Sequence, residues 1–218
     1  QGTRGDLEKE IRAYCRKLDI PLQYVPKDRL NRMAPGGNHQ GIAGLMSLIR
    51  YQRVEDVVPH LFEQSVMPLL VMLDGVTDVR NLGAIARSAE CLGAHALVVG
   101  KKNAAPVNAE AMKASAGALA QLPVCRENSL VAAAEWMQMS GVQVVGTTLE
   151  ESDPVDAVDF TGPTAIVLGA EDTGLSTGLS ERLDRQCRIP QQGSTDSLNV
   201  SVAGGIVLYE ALRQRRTR

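Results

Sequence analysis

Polar side chains and glycines come directly after three strand-like segments of the sequence. The run "LLVMLD" is followed by "GVTDVRNLGAIAR", the run "TAIVLG" by "AEDTGLS", and "CRIP" by "QQGSTDSLNVS". Glycine permits unusual backbone angles and lets a ligand approach the backbone closely. Each segment adds polar side chains that could bind or orient a ligand. Among the polar side chains in these segments are Asn81, Arg87, Glu171, Ser197 and Asn199.

Two common kinds of active site are disfavoured by the same segments. No GxGxxG follows a predicted strand, and in "GAEDTGLS" Leu175 stands where a phosphate-binding P-loop requires lysine. The chain also lacks the GxSxG motif of serine hydrolases. His39 lies in a turn, while His60 and His95 precede or enter strands. A dinucleotide site, a P-loop and a serine hydrolase triad are therefore poor interpretations.

The elements that must position these residues form an alternating pattern. From Leu69 onward, apolar strand-like runs alternate with helical stretches as far as a last helix that begins near Leu198. Continuous Val, Ile and Leu runs are typical of parallel strands buried on both faces. The pattern predicts an α/β domain with a mainly parallel sheet and helices on both faces. Such sheets bind ligands at the carboxyl ends of their strands, where the three polar segments lie.

Residues 1–50 are predicted to form a separate, incomplete unit. Residues 7–18 carry apolar side chains at helical spacing, and residues 20–25, "IPLQYV", predict a short strand. One helix and one strand cannot form an independent core, and the chain begins with Gln1 rather than Met. We interpret this region as the end of a small αβ domain, and residues 51–218 as one larger domain.

Charge and cysteine content narrow the range of partners. The net charge is -2, so contact with a nucleic acid would need a local basic patch. The terminal "RQRRTR" is one candidate, and a solvated tail is the alternative. The cysteines and histidines have no metal-ligand spacing, so we expect no metal and free thiols in a reducing cytoplasm. The run "VMPLLVML" is too short to span a bilayer, and we expect no membrane association.

The three polar segments, in this order, resemble the motifs of the SpoU (TrmH-like) branch of the SPOUT RNA methyltransferases. The resemblance extends from Leu69 to Arg215, through "DGVTDVRNLGAIARSAECLG", "IVLGAEDTGLS" and "CRIPQQGSTDSLNVSVAGGIVLYEALRQR". The stretch "DRLNRMAPGGNHQGIAG" resembles the end of the ribosomal-protein-like substrate-binding domain of the 23S rRNA guanosine 2′-O-methyltransferases. The resemblance implies a C-terminal deep trefoil knot, which periodicity alone could not indicate because knots are almost absent from proteins.

The resemblance also implies a cofactor, S-adenosylmethionine, bound in the knot. Backbone groups of Gly169, Ile189 and Leu198 would contact its adenine and methionine parts. Either Thr147 or Thr148, at the end of a neighbouring strand, would add a further contact. Family members pair through the last helix, so the resemblance further implies a homodimer.

The resemblance assigns roles to the polar residues as well. Arg87, helped by an RNA phosphate, would either remove the proton of a ribose 2′-hydroxyl or stabilise the charge that develops on its oxygen. Asn81 is expected at a helix N-cap, where capping alone would explain it. Glu171 would orient Asn81, Arg87 or the knot loops, Asn199 would hold the ribose or the arginine, and Ser197 belongs to the same motif core.

The expected activity is transfer of a methyl group from S-adenosylmethionine to a ribose 2′-hydroxyl of RNA in the cytoplasm. A guanosine in 23S rRNA is the first expected target. Two alternatives stay open: a tRNA-directed member of the same branch, and a non-catalytic RNA-binding or ribosome-assembly protein that keeps the knotted fold.

Overall fold

A computed structural model describes residues 6–18, 20–44, 48–149, 152–194 and 197–216 of the chain. The chain divides into two units, residues 1–46 and 47–218, which are described separately below. Across the described ranges, no helix combines the length and the apolar character needed to cross a bilayer. The same ranges hold no group of three or more His, Cys, Asp or Glu side chains placed to bind a metal ion.

The first unit contains two helices, α1 (Asp6–Lys17) and α2 (Lys27–Met33). The predicted helix over 7–18 is confirmed by α1, whereas the predicted strand over 20–25 is wrong. Residues 20–26 have no regular secondary structure, because residues 6–18 and 20–44 contain no strand with which this segment could pair.

A side-chain network holds the segment after α1 instead of a strand ladder. Tyr24 donates its hydroxyl to Glu8 Oε1 at 2.7 Å and accepts from Arg12 Nη2 at 2.6 Å. Arg12 also donates to Glu8 Oε1 at 2.9 Å, and these bonds, Tyr24 foremost, raise the pKa of Arg12. The alternating apolar residues of this segment, which suggested a strand, are exposed.

The second unit is built on one sheet whose neighbouring strands all run parallel. Within the described residues it has eight strands in the order β1-β4-β3-β2-β7-β5-β8-β6. The strands are β1 (Tyr51–Gln52), β2 (Leu69–Leu73), β3 (Ala96–Gly100), β4 (Val124–Glu127), β5 (Gln143–Thr147), β6 (Asp153–Pro154), β7 (Thr164–Leu168) and β8 (Arg185–Arg188). The α/β class and the mainly parallel sheet are confirmed.

Helices cover both faces of this sheet, as predicted. They are α3 (Val54–Glu63), α4 (Val79–Cys91), α5 (Ala109–Ala114), α6 (Leu130–Met139), α7 (Thr177–Ser180) and α8 (Val200–Arg216), with 3-10 turns at Ala118–Ala120 and Val155–Ala157. Leu69, Val71 and Leu73 of β2 pack in the core under α4 and α8, while Leu70 and Met72 pack in the core under α3 and α6. Successive side chains of a strand point to opposite faces, so a strand between two helical layers must be apolar throughout.

The strand register brings the three polar segments together at the carboxyl ends of the strands. Leu73, the last residue of β2, lies opposite Leu168, the last residue of β7. On the other side of β7, Gly146 of β5 lies opposite Val167. Thr147 in turn lies opposite Cys187 of β8. The chain leaves β2, β5, β7 and β8 at their carboxyl ends, which lie on the same side of the sheet, so the segments that follow these strands are neighbours.

Candidate functional site

A cavity of about 340 Å³ opens at the carboxyl ends of β5, β7 and β8. This volume is at the lower end of the range of about 300 to 1,000 Å³ that small-molecule sites occupy. All the residues predicted to contact a cofactor line it: Thr147, Thr148, Gly169, Ile189 and Leu198. The remaining wall combines apolar and polar side chains, among them Leu149, Glu171, Asp172, Thr173, Leu175, Gln191, Ser197 and Val200.

The two adjacent threonines lie at the end of β5, and the structure places both at the cavity. Thr147 donates its hydroxyl to the carbonyl of Val167 at 3.2 Å, across to β7. Thr148 donates its backbone N–H to the carbonyl of Cys187 at 2.9 Å, across to β8. Both threonines therefore line the cavity.

The loop after β7 folds back on itself to form one wall of the cavity. Ala170 and Gly174 exchange two backbone hydrogen bonds, each 2.9 Å long, which places Glu171 at the tip of the loop. A side chain at Gly169 would meet this crossing, because its Cβ would lie 2.6 Å from both the Gly174 oxygen and the Leu175 nitrogen. The glycine thus permits a backbone approach that any larger residue would block.

The tip residue Glu171 joins all three polar segments. Its Oε1 accepts a hydrogen bond from Asn81 Nδ2 at 3.0 Å and another from Asn199 Nδ2 at 2.7 Å. Asn199 Nδ2 also donates to Asn81 Oδ1 at 3.1 Å. Hydrogen bonds to an ionised carboxylate are among the stronger ones in proteins. The three segments form a single site beside the cavity.

Asn81 reaches this site because another residue caps its helix. The N-cap of α4 is Asp78, whose Oδ1 accepts from the backbone N–H of Arg80 at 2.7 Å and from that of Asn81 at 3.3 Å. These bonds, that of Arg80 first, hold the pKa of the Asp78 carboxyl below its usual value. The prediction that Asn81 is the N-cap is wrong, and its carboxamide is left to bond Glu171.

Asn199 is oriented by a residue that sequence reasoning did not assign to the site. Asn199 precedes α8, and its Oδ1 accepts from the backbone N–H of Ser201 at 2.9 Å and from the Ser201 hydroxyl at 2.5 Å. With the oxygen engaged in this cap, the Nδ2 group faces Glu171. The sequence signal was the pair of an Asn and a Ser two residues later at a helix start, a common capping pattern.

Arg87 lies apart from this network. It is exposed on α4, it does not line the cavity, and its side chain has no hydrogen bond or ion pair within the part of the chain that the structure describes. Ser197, by contrast, is exposed at the cavity wall. The guanidinium of Arg87 is therefore available to an anion outside the cavity.

The small residues early in α8 fit it closely against the sheet. A Cβ at Gly204 would lie 2.7 Å from Leu168 Cδ1, and Leu168 is buried at the end of β7. At Gly205 the corresponding distance, to Ser88 Oγ of α4, is 3.8 Å, which is ordinary contact. Gly204 is the position that allows α8 to approach the cavity edge.

Two family models match the chain. Residues 68–209 match the SpoU rRNA Methylase family, and residues 1–52 match the model described as RNA 2′-O ribose methyltransferase substrate binding.

Two relatives of known sequence are each 40% identical to the chain over the aligned residues. The "23S rRNA (guanosine-2'-O-)-methyltransferase RlmB" of Vibrio parahaemolyticus is 40% identical over 215 residues, which are 99% of this chain and 87% of that protein. An "Uncharacterized tRNA/rRNA methyltransferase" of Mycolicibacterium vanbaalenii is 40% identical over 198 residues. There the alignment covers 91% of this chain but 63% of the relative, so the chain spans less than two thirds of that protein.

Solved structures of methyltransferases share the fold of this chain. The SpoU methyltransferase AviRb from Streptomyces viridochromogenes, in complex with AdoMet, matches with a TM-score of 0.68 and 33% identity, over 78% of this chain and 67% of that one. The AdoMet-bound rRNA methyltransferase from Sinorhizobium meliloti matches with a TM-score of 0.68 and 34% identity, over 75% of this chain and 61% of that one.

Proposed function

The chain belongs to the SpoU rRNA Methylase family, and on that premise we propose that it transfers a methyl group from S-adenosylmethionine to a ribose 2′-hydroxyl of RNA. The observation that carries the proposal is the cavity at the carboxyl ends of β5, β7 and β8, with Asn81, Glu171 and Asn199 bonded to one another at its edge. One region binds a small molecule, and the adjoining network holds polar groups in fixed positions for a second substrate.

The residues present fit S-adenosylmethionine. Apolar walls formed by Leu175, Ile189 and Leu198 suit a purine ring, while Thr147 and Thr148 offer hydrogen-bonding groups for a ribose and an amino acid. When bound, the cofactor would supply an electrophilic methyl group. The relatives solved with AdoMet support this choice of ligand.

Arg87 is the residue that we expect to act on the RNA. A ribose hydroxyl is a weak nucleophile until its proton is removed or the charge on its oxygen is stabilised. Arginine stays protonated in proteins, so the role that suits Arg87 is to bind an RNA phosphate and stabilise developing negative charge. Its exposure and its lack of a carboxylate partner among the described residues support that role.

Glu171 would hold the ribose, with its carboxylate kept in place by Asn199. Both amide bonds to Glu171 end on Oε1, and within the described residues Oε2 makes no hydrogen bond, so one oxygen can accept from a ligand hydroxyl. Ser197 is exposed at the same wall, and its hydroxyl would be a second hydrogen-bonding group for the ribose. These groups would fix the reacting hydroxyl beside the cavity.

The target that we propose is a guanosine of 23S rRNA. The Vibrio relative supports it, since it is named a 23S rRNA guanosine-2′-O-methyltransferase and the alignment covers most of both proteins. The match of residues 1–52 to a substrate-binding model supports our assignment of residues 1–50 to RNA binding. A tRNA substrate is the alternative, supported by the 32% identity to the TrmH/SpoU tRNA modifying enzyme of A. aeolicus.

Three further properties belong to the proposal: a C-terminal trefoil knot, a homodimer and action in the cytoplasm. The tight crossing at Gly169 and the close approach at Gly204 support a knot, which requires thin segments. The exposed apolar side chains Val202, Ile206 and Tyr209 of α8 support pairing through that helix. A dimer mass in light scattering at micromolar concentration is expected, and a monomer mass would contradict the pairing.

The test is transfer of a labelled methyl group from S-adenosylmethionine to unmodified rRNA or tRNA by the purified chain. We expect label in 23S rRNA, and loss of at least 100-fold in rate for Glu171→Ala, which removes the acceptor that orients both asparagines. Glu135→Ala is the matched control, because Glu135 binds Arg182 on the surface away from the cavity. Absence of transfer to any RNA, or equal loss in both variants, would refute the proposal.

A further inference from the structure

We propose that Asp74 is a positioning residue that sets the affinity of the cavity for its cofactor by holding both ends of the loop over 169–176. The identity of the ligand rests on the function proposed above. Asp74 was not among the predicted site residues, and it does not line the cavity.

Asp74 directly follows β2 and bonds to the chain at each end of this loop. Its backbone N–H donates to the carbonyl of Leu168, immediately before the loop, at 2.9 Å. Its carboxylate Oδ2 accepts from the backbone N–H of Ser176, at the far end, at 2.7 Å. Asp74 therefore bonds to both Leu168 and Ser176, and the segment between these two residues forms part of the cavity wall.

The segment held in this way supplies much of that wall. Every residue from Gly169 to Leu175 lines the cavity. Inside the loop, the Ala170 and Gly174 pair closes the base, and Glu171 at the tip accepts hydrogen bonds from Asn81 of α4 and from Asn199, which precedes α8. Without the bond to Ser176, the downstream half would be held only by the Ala170–Gly174 hydrogen bonds and the packing of Leu175 on the core, and the wall residues from Gly174 onward would sample more positions.

The residue after Asp74 also packs against the loop. Gly75 has a φ of +75°, and a Cβ there would lie 3.2 Å from Ala170 Cβ, closer than most side-chain contacts. The chain leaving β2 thus runs directly beside the loop base, in a conformation that favours glycine. This close approach fixes the Asp74 carboxylate at the distance where it can reach Ser176.

The chain contains a second aspartate with the same pair of bonds, away from the cavity. Asp184 donates its backbone N–H to the carbonyl of Val144 at 2.9 Å, and its Oδ2 accepts from the Val144 N–H at 2.7 Å. Asp184 lies at the amino end of β8, whereas Ile189 of the cavity wall follows its carboxyl end. Asp184→Asn is therefore a matched control for Asp74→Asn, since each substitution weakens one 2.7 Å bond to an aspartate.

The experiment measures binding of S-adenosylhomocysteine by calorimetry and steady-state kinetics with varied S-adenosylmethionine. For Asp74→Ala we expect the Kd and the KM for the cofactor to rise about tenfold while kcat stays within about twofold, since a bond to a charged group is lost but the reacting groups remain. Asp74→Asn, which keeps a neutral acceptor, is expected to raise both about threefold and carries the test should Asp74→Ala not fold. Asp184→Asn should leave both unchanged.

The outcomes separate this inference from the proposed function. If the wild-type chain binds S-adenosylhomocysteine and both Asp74 variants bind it with the same Kd, the inference is overturned and the proposed function stands. An equal rise in Asp184→Asn would also overturn it, because the effect would then be a general loss of stability. Failure of the wild-type chain to bind S-adenosylhomocysteine would overturn the proposed cofactor itself, whatever the variants do.

Discussion

Replacing Gly169 with alanine tests whether the crossing at the base of the cavity loop shapes the site. The added Cβ would lie 2.6 Å from the Gly174 oxygen and from the Leu175 nitrogen, whereas real Cβ contacts rarely fall below 3.4 Å. The neighbouring backbone must therefore move by at least roughly 0.8 Å, the difference of these two distances, because the Gly174 carbonyl carbon would lie closer still. Because the obstacle is backbone rather than the end of a flexible side chain, no change of rotamer relieves it.

The expected cost can be worked out from these contacts. Overpacking of this kind costs about 1 to 3 kcal/mol. Movement of Gly174 also breaks the two backbone bonds that it shares with Ala170, each worth about 1 kcal/mol. The free energy of unfolding should fall by about 3 to 5 kcal/mol, which corresponds to a decrease in Tm of about 10 °C for a chain of this size.

The assay combines thermal unfolding with calorimetric titration of S-adenosylhomocysteine. Gly169→Ala should lower the Tm and reduce binding at least tenfold, because the same crossing forms the cavity wall. Gly178→Ala is the control: its Cβ would meet Val131 Cγ2 at an ordinary 3.5 Å, so its Tm should change by no more than about 2 °C. If Gly169→Ala kept both its Tm and its affinity, the close crossing would have no role in the site.

Further predictions concern Arg87, two glycines of α8 and the cysteines. Arg87→Lys should lower methyl transfer about 100-fold with unchanged Tm and cofactor Kd, since the side chain is exposed and outside the cavity; a fully active lysine variant would exclude a role for the guanidinium fork. Gly204→Ala should lower the free energy of unfolding by about 1 kcal/mol, because displacing the buried end of Leu168 costs more than the helix gains from alanine, whereas Gly205→Ala should raise it by about 0.5 kcal/mol, both measured by denaturant titration. Burial raises the pKa of Cys125 to about 12, so at pH 8 an alkylating reagent should modify the exposed Cys91 and leave Cys125 unmodified in the native protein, as mass spectrometry would show.

The sequence predicts the central layers of the fold well because burial on both faces leaves a strong pattern. The runs "LLVML" and "TAIVL" are fully buried as β2 and β7, and every residue in them is apolar except Thr164. The strand predicted over 20–25 fails for the complementary reason. Its alternating apolar residues fit a strand, but a strand also needs a partner, which local sequence cannot supply.

The candidate site is predicted in outline but not in its hydrogen bonds. Strand ends and glycines indicate where a ligand binds, and the structure brings Asn81, Glu171 and Asn199 together there. The error at the helix cap arose because both Asp78 and Asn81 are good capping residues a few positions apart. Which of them caps depends on where the chain turns after β2. Asp74 was missed because its partner, Ser176, is remote in sequence and bonds through its backbone, which leaves no mark on side-chain type.

The most direct test is to locate the methyl group that the purified chain adds to unmodified rRNA. Mass spectrometry of nucleosides after complete digestion distinguishes a methyl group on the ribose from one on the base. We predict 2′-O-methylguanosine at a single position of 23S rRNA, dependent on added S-adenosylmethionine. A methyl group on a base, or no incorporation into RNA by a chain that binds S-adenosylhomocysteine, would contradict the assignment as a ribose 2′-O-methyltransferase.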